Sequence, residues 1–153
     1  MIKLSEHFFL EELTRSEYAS RHGLANAPGL EVVARLTILA ETTLEQVRLR
    51  VGSPIVPSSG YRSPAVNMGI GGAPTSQHIL GEAADFIIPG RSNLEICAAI
   101  VREGEGIPFD QLIYEFGETG WIHVSHSTSR SQRRETWKCE WIGKKKVYTP
   151  TKF

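Results

Sequence analysis

A histidine and an aspartate stand seven positions apart in Ser76-Gln77-His78-Ile79-Leu80-Gly81-Glu82-Ala83-Ala84-Asp85, just ahead of the apolar run Phe86-Ile87-Ile88. Gly81 lets the chain turn between His78 and Asp85, and Ala83 and Ala84 leave little bulk beside the carboxylate. A second imidazole, His123, follows well downstream of Asp85, within the short β-type run Trp121-Ile122-His123-Val124-Ser125. A lone histidine in an apolar strand is ordinarily a hydrogen-bonded core residue. Combined with the His78/Asp85 spacing, His123 completes a set of two imidazoles and one carboxylate. Such a set holds one Zn2+ and leaves a fourth position open for water.

Water activated in that way needs a base beside it. Glu115 is the best-placed carboxylate, because it ends the run Leu112-Ile113-Tyr114-Glu115 that leads into the segment carrying His123. A carboxylate in so apolar a run is costly without a partner, unless it faces solvent at an edge. Glu118 is the rival and reads as an exposed turn residue. Arg62, in Ser59-Gly60-Tyr61-Arg62-Ser63, has the planar fork that binds both oxygens of a substrate carboxylate; its plainer role is a surface ion pair. Ser76 has a hydroxyl for either the loop backbone or a substrate.

The elements that must position these groups follow from periodicity. Ser5 to Tyr18 reads as short helical turns, with Ser16 able to cap a second segment. Asn26-Ala27-Pro28-Gly29 breaks the chain. From Leu30 to about Val51 the residues Leu30, Val33, Leu36 (or Thr37), Ala40, Leu44 and Val47 recur at helical spacing, and Gly52-Ser53-Pro54 stops the pattern. Pro54 to Arg62 reads as a short strand entering a loop, and Ser63 to Gly72 as loop. A strand over Ala84–Ile88 and a helix from Ser92 or Asn93 to Val101 come next. Phe109–Phe116 and Trp121–Ser125 form a hairpin around Gly117-Glu118-Thr119-Gly120. The tail with Glu140-Trp141-Ile142 and Val147-Tyr148 is a closing strand pair or a loosely held extension. The expected fold class is α+β, with helices on a small, mainly antiparallel sheet.

The 153 residues make one domain over 1–153, with 126–153 as a basic C-terminal extension. Formal net charge is zero, so no bulk attraction to nucleic acid or membrane is expected. From His126 onward eight Lys/Arg face only Glu135 and Glu140, a basic edge that is either solvated or weakly attracted to an anionic polymer such as a wall glycan. No stretch has the ~18 apolar residues of a membrane span. The N-terminal residues lack the basic region and apolar core of a signal peptide. Cys97 and Cys139 form no metal-binding or disulfide spacing and read as reduced structural thiols.

The ten-residue segment Ser76–Asp85 resembles the SxHxxGxAxD signature of the zinc D-Ala-D-Ala carboxypeptidases, peptidase family M15. Trp121-Ile122-His123-Val124-Ser125 is similar to that family's second zinc motif, and Ser59-Gly60-Tyr61-Arg62-Ser63 to its substrate-arginine segment. The resemblance spans roughly residues 5 to 127. It implies His78, Asp85 and His123 as zinc ligands, Arg62 as a clamp on substrate or transition state, and a cell-wall peptide as substrate. Several members place the catalytic glutamate three residues before the last zinc histidine, where this chain has Gly120. The distantly related hedgehog signalling domains, in the segment resembling Phe109–Glu115, have a glutamate at the position of Glu115.

The leading expectation is a monomeric zinc metallopeptidase acting on peptidoglycan stem peptides, as a D-Ala-D-Ala carboxypeptidase or an endolysin-type endopeptidase. It would be made in the cytoplasm and reach the wall by phage-type release or delivery. The competing reading, prompted by Gly120, keeps the zinc without catalysis, as a wall-binding or phage structural module.

Overall fold

The computed structural model describes residues 1–102 and 106–153. Two short helices, α1 (Leu10–Thr14) and α2 (Glu17–His22), open the chain; Ser16 caps α2 by accepting from the Ala19 N–H at 3.1 Å. The predicted long helix comprises α3 (Leu30–Leu39) and α4 (Glu45–Val51) joined by a π-helical segment, Ala40–Leu44. That wide segment rotates the second half of the helix. Leu36, Leu39, Ala40, Thr43, Leu44 and Val47 are thereby all fully buried, whereas Leu30, the first residue of the predicted stripe, is 89% exposed. Thr43 is satisfied there, donating its hydroxyl to the Pro108 carbonyl at 2.7 Å.

Strand β1 (Val56–Ser59) follows. The stretch 63–72, expected to be loop, instead contains helix α5 (Pro64–Gly69). Ser63 is its cap, accepting from the Val66 N–H at 3.3 Å. Pro64 occupies the first helical position, where its missing N–H costs nothing. The short α6 (Gln77–Leu80) leads into β2 (Ala83–Ile87), then α7 (Asn93–Val101), β3 (Gln111–Glu115) and β4 (Trp121–Ser125). The extension adds β5 (Glu135–Ile142) and β6 (Lys145–Pro150), so it is a strand pair integrated into the sheet and not a loose tail. The six strands lie in the order β1-β2-β4-β3-β5-β6. All neighbours are antiparallel except β3 and β5.

Alternation along the strands divides the sheet into two functions. Ala84 and Phe86 of β2, Leu112 of β3, and Ile122 and Val124 of β4 point into a core shared with Leu36, Leu39 and Leu44 and with Ile96, Cys97 and Ile100 of α7. The residues between them, Asp85, Ile113, Glu115 and His123, face the other way, into a cleft of ≈ 1610 Å³. Both cysteines are free and buried, and burial foremost, with the Glu118 charge, pushes the Cys97 thiol up to about 12. Among the described residues no helix is long and apolar enough to cross a membrane.

Candidate active site

Register brings the site together. Asp85 on β2 pairs directly with His123 on β4, and His123 in turn with Ile113 on β3. His78 reaches the same point from α6, a single turn capped at both ends. Ser76 accepts from the His78 N–H at 3.2 Å. Gly81 closes the turn at φ 76°, where a side chain would be strained. The Gly60 carbonyl accepts from His78 Nδ1 at 2.6 Å. That bond fixes the proton on Nδ1. His78 Nε2 faces Asp85 Oδ1, 3.3 Å away. His123 Nδ1 lies 2.9 Å from the same oxygen, and the two imidazole rings meet edge to face at 5.0 Å.

One ligand atom from each of His78, Asp85 and His123 falls within 4.8 Å of the others, so these three could hold a metal ion. The donor set, two nitrogens and one oxygen on buried side chains, suits zinc with a position left open. The backbone carbonyl on His78 Nδ1 is the support such a ligand ordinarily has. Burial alone would raise the Asp85 carboxyl, but the His78 charge and the hydrogen bonds from both imidazoles outweigh it. The group is held far below the usual carboxylate range.

Arg62 is held against this cluster. Its Nη2 donates to Asp85 Oδ2 at 3.0 Å, its Nε to Ser59 Oγ at 3.1 Å, and its backbone N–H to the His78 carbonyl at 3.1 Å. The guanidinium therefore orients Asp85, a contact the sequence did not disclose, and also lines the cleft. Ser76 lines the cleft too, with its oxygen already serving as the α6 cap.

Glu115 ends β3 beside His123, its Oε1 3.9 Å from Nδ1. Burial first, and the Asp85 charge second, raise its carboxyl above the ordinary value; His123, Lys146 and Arg62 oppose them. Gly120 shows why no carboxylate stands three residues before His123. A Cβ there would collide with the Glu115 carbonyl oxygen, so the tight return into β4 excludes any side chain. Glu118 has a different task at the N-terminus of α7, accepting from the Ser92 hydroxyl and from the Asn93 N–H at 2.8 Å.

Sequence reasoning missed the far wall of the cleft, formed by Trp137 of β5 and Lys146 and Tyr148 of β6. The alternation Trp137-Cys139-Trp141 was its signal, since it puts large side chains on one face of a strand. Also missed was Asp110, whose fully buried carboxylate accepts from Gln77 Nε2 at 3.2 Å, Arg130 Nη2 at 2.7 Å and Arg133 Nη2 at 2.8 Å.

No curated protein sequence matches the chain. The family model described as Peptidase M15 matches residues 6–125, a span that includes His78, Asp85, Glu115 and His123 and covers most of the chain; the chain belongs to the peptidase M15 family.

Proposed function

We propose that this chain is a zinc peptidase that hydrolyses peptidoglycan stem peptides. M15 membership implies peptidase activity. The observation that supports the finer reading is the meeting of His78, Asp85 and His123 in one cleft, with the buried carboxyl of Glu115 alongside. A zinc ion held by the three side chains would supply Lewis acidity toward the scissile carbonyl and the attacking water.

The chain's own residues do the rest. Glu115, in its ionised form, takes the proton from the attacking water and delivers it to the leaving amine as the C–N bond breaks. Its burial favours the protonated state that the first transfer creates, which suits a group that must accept and then release one proton. Arg62 keeps Asp85 oriented and presents its guanidinium to a substrate carboxylate or to the developing oxyanion. Ser76 can donate its hydroxyl proton into the cleft while its oxygen caps α6. The fixed Nδ1 proton of His78 holds its ring in the ligand tautomer.

Incubating the zinc-loaded protein with purified peptidoglycan tests this reading. New amino groups or released D-Ala support it, and the product identifies terminal trimming or internal cleavage. An unchanged wall preparation, from protein that contains zinc, counts against it and leaves the wall-binding module in place.

A further inference from the structure

The strands beyond the matched family region bring a lysine to the cleft. Trp121, Glu115, Cys139 and Tyr148 form one row across β4, β3, β5 and β6. Neighbouring strands lie ~4.8 Å apart, so the β6 backbone is roughly 10 Å from that of Glu115, within reach of a lysine side chain. Lys146 is two residues from Tyr148 and therefore on the same face, and both line the cleft. Its ammonium rests over the Trp141 ring at 5.6 Å and the Phe116 ring at 5.9 Å. Among the described residues it has no carboxylate within ion-pair distance, yet its charge is felt at Glu115.

Arg62 stands at the β1–β2 side of the same cleft, paired with Asp85. A chain crossing from Arg62 to β6 passes His123 and Glu115 in between. We propose that Lys146 forms a subsite that binds a carboxylate of the peptide substrate on the β6 side of Glu115. This rests on the proposed peptidase function and narrows it to peptides that present an anionic group on that side. The carboxylate is either a side-chain group or the peptide's free C-terminus; a lysine recognises the two alike.

The test compares an acidic stem peptide with a form amidated at the side-chain carboxylate and a form amidated at the C-terminus. Wild type should process one amidated form roughly fivefold less efficiently in kcat/KM, the effect of one partly exposed charge pair. Which form suffers identifies the carboxylate read. In Lys146→Ala that discrimination should fall to about one, while Lys146→Arg and the hairpin-turn control Lys144→Ala keep it. Equal losses on all three peptides in Lys146→Ala would overturn the subsite, because a lysine acting only through Glu115 gives that pattern. Undiminished discrimination in Lys146→Ala would also overturn it. If wild type cleaves none of the peptides, the function fails separately. Titrating the acidic and amidated peptides against tryptophan fluorescence then still reads the subsite, and equal affinities would dismiss it.

Discussion

Replacing Asp110 with alanine removes the acceptor that ties the extension to the body of the protein. Its carboxylate takes bonds from Gln77, Arg130, the Arg133 side chain and the Arg133 N–H, while the Asp110 backbone bridges Ser125 at the end of β4 and Glu135 at the start of β5. Breaking a wholly buried ion pair costs about 3–5 kcal/mol. Here the arginine side chains are 45% and 40% exposed, so water can take them back and the cost drops. Counting the charge-assisted bonds and the stranded backbone N–H gives about 2–3 kcal/mol, a melting temperature lower by roughly 4–12 °C. The same group fixes the pH dependence. Burial alone would raise the Asp110 carboxyl, but the bonds and charge of Arg133 and the charge of Arg130 hold it below the usual value. Its stabilisation is complete above the ordinary carboxylate pKa of about 4 and is lost as pH falls through the lower folded value. Melts followed by circular dichroism, in chelator to remove any metal contribution, should show the full gap between wild type and variant at neutral pH and a shrinking gap in acid. A neutral-pH gap under ~1 °C, or one that widens in acid, would refute the reasoning.

Glu115→Gln should lower kcat by roughly 10²–10⁴-fold while the protein keeps its zinc, read by steady-state kinetics beside metal analysis. Gly120→Ala forces a Cβ into the Glu115 carbonyl. It should cost about 1–3 kcal/mol in denaturant unfolding and lower activity further by displacing the Glu115 backbone. Leu39 is fully buried in the core beneath the π segment. Leu39→Ala should cost about 2–5 kcal/mol in the same unfolding assay, with kcat of the surviving folded protein intact.

The meeting of His78, Asp85 and His123 was legible because its signals are local. A glycine that closes one turn, two alanines beside the aspartate and an apolar strand fix where His78 and Asp85 point, and period-two alternation aims His123 the same way. The α+β class and the hairpin over Phe109–Ser125 came from similarly short-range patterns. What escaped depends on distant partners. The glycines of 63–72 masked α5, although Ser63-Pro64 is a helix-start pair. The π segment is bound up with Thr43 reaching the Pro108 carbonyl, far along the chain. Parallel pairing of β5 with β3 joins residues that no spacing links, and with it came the cleft wall of Trp137, Lys146 and Tyr148. Arg62 was legible as a carboxylate binder, but the structure shows the carboxylate of Asp85 among its partners.

The central claim, that His78, Asp85 and His123 hold one zinc ion, is tested most directly by metal content. Wild type and His78→Ala, purified without added metal and then offered zinc, would be measured by mass spectrometry. About one zinc per chain is expected in wild type and close to none in the variant. Wild-type protein that takes up no zinc, or a variant that binds it as fully as wild type, would contradict the claim.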